Sequence, residues 1–185
     1  SGSTAGVDTK NRLRVFATSE SINTDAALAG DLFNINTETI ELTTDSSSSL
    51  LYMKNIDTVP WVVSRVFYNT GASTGGAGDF LAEIIANPTT GTLITSGSAL
   101  TAHNLNFGSA KELTGTVLKG SEGATLTSGT VRVSTIIPAA GTRVLIAFES
   151  IILESGSSIG VRIIPQTGNT SMNIQVGFNM SRLTQ

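Results

Sequence analysis

The chain has 185 residues, enough for one all-β domain with a sizeable core, and its net charge of -3 and pI near 5.1 leave no basic footprint for nucleic acid. Hydrophobic residues make up 39% and charged residues only 14%, with Ser, Thr and Gly filling the balance, a composition of strands joined by many turns. There is no cysteine, which excludes disulfides, thiolate metal ligands and cysteine nucleophiles together.

Residues 1–10 are polar, lack the charged-then-apolar pattern of an intact secretory signal, and are expected to form a flexible arm ahead of one domain over residues 11–185. No apolar run approaches the roughly 20 residues that cross a bilayer, so no membrane partner is expected. Residues 11–17 (NRLRVFA) alternate and read as the first strand. Residues 18–31 read as a loop, because the AALA patch before Gly30 is long enough for only one helical turn. Residues 32–35 and 39–43 read as short strands, 45–49 (DSSSS) as a turn and 50–55 as another strand. Residues 61–69 (WVVSRVFYN) are β-branched and aromatic with Pro60 at their entry, which predicts a central strand. The glycine-rich stretch 70–78 and the following DFLAEIIAN read with it as a long hairpin. Beyond the Asn-Pro turn at 87–91, residues 93–95 read as a brief strand, 96–115 as irregular, and 116–120 and 130–135 as two more strands.

The chain ends in three apolar runs, residues 142–153, 158–164 and 172–180, separated by two polar breaks, and these read as neighbouring strands. The last places Met172, Ile174, Val176, Phe178 and Met180 on one face and Asn173, Gln175, Gly177 and Asn179 on the other, the period of a half-buried antiparallel strand. About ten short strands with unequal connections, and no helix–strand alternation, predict an all-β fold: an antiparallel two-sheet sandwich of jelly-roll type.

Chemistry is sparse. Residues 156–160 (GSSIG) match the G-x-S-x-G nucleophile elbow with Ser158 in the serine position, but the chain continues as a strand where an elbow needs a helix, so a hairpin turn is the better reading. The one histidine, His103, lies in a polar run and reads as a loop residue rather than a catalytic base. Asp25, Asp31, Asp45, Asp57 and Asp79 are scattered without a calcium-loop spacing, and Glu83 and Glu149 have no spacing that favours a glycosidase pair over solvated faces. The glycines at 71–78 lack the ending of a phosphate-binding loop, and the sequons at Asn169 and Asn179 read as chance matches. Trp61, Tyr52 and Tyr68 would suit a sugar-stacking platform, for which burial in the core is the simpler alternative for Trp61. No catalytic, cofactor-binding or metal position is assigned.

The order of several stretches carries more than any one motif. Residues 7–16 (VDTKNRLRVF), 29–36 (AGDLFNIN), 87–91 (NPTTG), 106–111 (NFGSAK), 119–123 (KGSEG), 156–162 (GSSIGVR) and 171–173 (SMN) together resemble a family of tailed-bacteriophage virion structural proteins, over nearly the whole chain. The resemblance implies a capsid decoration, or cement, protein: a β-sandwich on the outer surface of the head, with the major capsid protein as partner and no catalytic residues. A carbohydrate- or receptor-binding module of a tail or fibre is the alternative, with a Ser158 hydrolase the third reading. Few charges protect the sheet faces that carry Leu51, Met53, Trp61, Val63 and Val66, so self-association is expected, and local three-fold positions on an icosahedral shell make a homotrimer the expected form.

Overall fold

The computed structural model describes residues 4–7, 13–16, 22–43, 46–71, 79–138, 143–166 and 171–183. A hairpin of β1 (Thr4–Val7) and β2 (Leu13–Phe16) comes first, followed by α1 (Ile22–Ala29), β3 (Leu32–Asn36), β4 (Ile40–Leu42), β5 (Ser48–Asn55), β6 (Trp61–Thr70) and β7 (Phe80–Ala86). A short helix α2 (Thr92–Ser96) then precedes β8 (Ser98–Ala99), β9 (His103–Asn104), β10 (Gly115–Lys119), β11 (Thr130–Ile137), β12 (Arg143–Leu153), β13 (Ser158–Pro165) and β14 (Met172–Arg182). One sheet has the order β11-β7-β13-β5-β10-β8, and the other β12-β6-β14-β3-β9 with β4 also paired to β14. Every pairing is antiparallel, so the fold is the expected all-β two-sheet sandwich.

Three strand pairs are nested: β5 with β13, β6 with β12 and β7 with β11. The middle pair lies in one sheet and the other two in the opposite sheet, so the chain winds round its core as a jelly roll does. The core between the sheets holds Trp61, Tyr68, Phe33, Phe80 and Phe178, all fully buried, together with Met172, Ile174, Val176 and Met180 from the alternating face of β14. That alternation is why β14 sits inside its sheet: one face fills the core while Asn173, Gln175 and Asn179 stay half-buried on the other.

Several expectations are corrected. β6 and β7 are not a hairpin, because they lie in opposite sheets and their apolar faces, Val63, Val66 and Tyr68 on one and Phe80, Ala82 and Ile84 on the other, contribute to one core from its two sides. The last three strands are not neighbours either: β6 separates β12 from β14, and β13 belongs to the other sheet. Period-two patterning identifies a buried face and is silent about the partner strand. The expected loop at 18–31 contains α1, which ends in a Schellman motif with Gly30 at φ 72°, Asp31 N donating to Ala26 O (2.7 Å) and Gly30 N to Ala27 O (3.0 Å). The expected strand at 93–95 is α2, because burying Leu93 pulls the chain into a turn held by Thr92 N donating to Thr125 Oγ1 (3.1 Å). The turn expected at 45–49 is shorter, since β5 already begins at Ser48. β1 and β2 pair with each other as a separate two-stranded sheet.

Candidate functional site

The structure does not bring the sequence-derived catalytic candidates together. Ser158 is buried at the start of β13, where its N–H donates to Asn87 Oδ1 (2.9 Å) and its hydroxyl lies 3.5 Å from Pro88 O, which is a turn-anchoring role and not an exposed elbow. His103 stands exposed on β9, at one edge of the opposite sheet. Glu83 is paired with Arg162 on the neighbouring strand, Nε to Oε2 at 2.8 Å, while Asp25 and Asp79 are exposed. Asp45, Asn169, glycines 75, 76 and 78, and the side chain of Glu149 lie outside the described residues. Among the described residues no three His, Asp or Glu side chains cluster as metal ligands would. Asn179 faces its neighbour across the sheet and accepts from Asn34 Nδ2 (2.8 Å).

Trp61 and Tyr68 are fully buried and Tyr52 nearly so, so none of them forms a sugar-stacking platform. Burial pushes the Tyr68 phenol well above its ordinary pKa, and its hydroxyl meets no hydrogen-bond partner among the described residues. Leu51, Met53, Val63 and Val66, expected on a shared face, are likewise core residues with no exposure. Among the described residues two other apolar features stand out, both missed by sequence reading.

The first is a knob on the loop after β9. Phe107 is 96% exposed at its tip, yet the loop beneath is held rigidly by side-chain to backbone bonds of two asparagines. Asn104 Nδ2 donates to Gly30 O (2.8 Å) and Lys111 O (3.1 Å), and its Oδ1 accepts from Asn106 N (2.9 Å). Asn106 Nδ2 in turn donates to Leu28 O (3.2 Å), and its Oδ1 accepts from Gly108 N (3.1 Å). Leu28, on α1, is itself 72% exposed, so a leucine flanks the base of the knob. An ion cluster anchors both ends of this region: buried Asp31 meets Lys111 (2.9 Å) and Arg182 (3.5 Å). Arg182 Nε also lies 2.8 Å from Asp57 Oδ2, an ion pair whose angle is too oblique for a hydrogen bond.

The second is a cleft of about 360 Å³ where the two sheets part, between the edge strands β11 and β12. Ile84, Ala86, Val133, Ile151, Leu153 and Ile159 give it an apolar lining. Both edge strands carry a register shift there, between Val131 and Val133 in β11 and between Ala147 and Ile151 in β12. Bulges of this kind bend an edge strand and increase its local twist, and here they border the gap on both sides. Ile152 stands 52% exposed at the rim. A third hollow, about 670 Å³, is polar, with Asn34, Asn36, Glu38, His103, Lys119 and Gln175 in its wall and no Phe, Tyr or Trp among the described residues that line it.

These features define an all-β sandwich that carries an exposed aromatic knob, an apolar cleft and a polar hollow. No protein-family model and no curated protein matches the chain. Among solved structures it is similar to a chain in the structure of deformed wing virus, a honeybee pathogen, at 11% identity and a TM-score of 0.30, over 98% of this chain and 49% of that one. The protein therefore spans about half the length of that chain, and a similarity at this level supports no inference about function.

Proposed function

We propose that the protein is a non-enzymatic structural component of a tailed-bacteriophage virion, a decoration protein that binds the major capsid protein on the outside of the head and stabilises it as a homo-oligomer, with three-fold symmetry as the expected form. The observation that carries this reading is the ordered set of stretches that resemble that family. Its support from the fold is that four of the seven stretches meet in two pairs. Residues 29–36 meet 106–111 through the Asp31–Lys111 ion pair, with Asn104 bridging Gly30 and Ser109, and 87–91 meets 156–162 through the Asn87–Ser158 bond. Segments distant in sequence thus build two shared structural units, one at the knob and one beside the cleft.

A shell-stabilising protein acts by surface complementarity repeated over many copies, so modest contacts accumulate through avidity. Apolar knobs and clefts on a rigid sandwich suit that task. Cryo-electron microscopy of virions that carry the protein tests the reading. Density for the sandwich on the outer face of the head is the expected result, and density confined to the tail, or none on the particle, would reject it.

A further inference from the structure

We infer that the Phe107 knob of one copy docks into the β11–β12 cleft of a second copy of the same chain. The inference rests on the self-association in the reading above, and not on location in a virion.

An aromatic ring held almost wholly in water on a loop that its neighbours keep rigid is organised for insertion, because little conformational entropy remains to be lost on binding. The cleft matches it in chemistry and size. A cavity of roughly 150 Å³ lined by aliphatic groups accepts benzene, so one of about 360 Å³ accepts a phenyl ring with part of its flanking leucine. Among the described residues the outer edge of β12 pairs with no strand, so the cleft stands open to an incoming group.

The positions of the two features make the occupant a second copy. They lie at opposite edges of one sheet, because β9 and β12 are its terminal strands. With four inter-strand steps between those edges the separation is about 19 Å, so a single molecule cannot close the contact on itself. They also lie at the same height. Leu105 N donates to Leu32 O, Leu32 is opposite Ser181, Ser181 is opposite Val62, and Val62 is opposite Ile152 at the cleft rim. A row of five residues thus runs straight across the sheet from knob to cleft. Copies placed side by side at one level would each give a knob and receive one, a heterologous contact that makes a ring if the rotation closes.

The chain has no cysteine, so single-cysteine variants report this contact without background. G108C and I152C, each on the full chain and each keeping Phe107, are mixed and oxidised; Gly108 is exposed beside the ring and has room for a side chain. The expected product is a mixed disulfide joining position 108 of one copy to position 152 of another, identified by peptide mass, with far less dimer from either variant alone. In sedimentation velocity from about 1 to about 100 µM, F107D should weaken self-association by about 10- to 100-fold, the loss expected from removing one buried aromatic anchor, while F107L keeps most of it. An oligomer that F107D leaves unchanged, or disulfides that join 108 to 108, would overturn the docking alone. A wild-type monomer across that range would overturn both docking and self-association, and leave the location on the virion to microscopy.

Discussion

Tyr68 offers a test of the core that needs no partner. Its ring is fully buried on β6, its hydroxyl has no hydrogen-bond partner among the described residues, and burial raises its pKa well above the ordinary 10.0. Replacing it by Phe keeps the ring and removes only the unsatisfied group. An unpaired buried hydroxyl costs about 1–3 kcal/mol, so Y68F should be more stable than the wild type at pH 7 by up to that amount, less a small loss for the void left behind. The pH dependence gives a second handle. The folded pKa is raised, so the stability linked to Tyr68 is fully present below pH 10 and is lost as pH rises above it, because the unfolded chain gives up the phenolic proton first. With an unfolded pKa of 10.0, this amounts to about 1 kcal/mol at pH 11. Y68F lacks that term, so the gap between the two proteins should widen by that amount between pH 7 and pH 11. Urea titrations at the two pH values, followed by fluorescence of the single and fully buried Trp61, measure it directly. A variant less stable at pH 7 by more than 1 kcal/mol, or a gap that does not grow with pH, would refute the reasoning.

Three further outcomes follow from local geometry. Gly177 has no room for a side chain: a Cβ there would stand 2.1 Å from the Phe67 ring and 2.5 Å from Ile35 O, so G177A should cost about 1–3 kcal/mol in thermal or urea unfolding. D31N should cost about 1–2 kcal/mol, below the 3–5 kcal/mol of a fully buried pair, because Lys111 is 46% exposed and Arg182 keeps Asp57; hydrogen exchange should rise mainly in the knob loop. S158A should unfold within about 0.5–1.5 kcal/mol of the wild type, and a serine-directed fluorophosphonate should fail to label the protein; labelling at Ser158 would refute its role as a turn anchor.

The strands themselves were legible in the sequence. Alternation in 172–180, the β-branched run at 61–69 and the apolar runs before the Gly-Ser breaks correspond to β14, β6, β12 and β13, because period two records which face is buried. What it cannot record is the partner. That β6 pairs with β12 and β14, and that β7 crosses to the other sheet, follows from how nested pairs close one core, a property of the whole chain. Short elements were misread for a related reason: α1 depends on its Gly30 cap and on packing against β3 and β14, and α2 on burying Leu93, contacts that a window of eight or five residues does not contain. The same divide separates the site from its signal. Asn104 and Asn106 are typical of turns with side-chain to backbone bonds, but only their tertiary partners, Gly30 and Leu28, make the loop rigid and leave Phe107 in water. The cleft has no local sequence mark at all, since β7, β11, β12 and β13 each supply part of its wall and bulges in two edge strands border it.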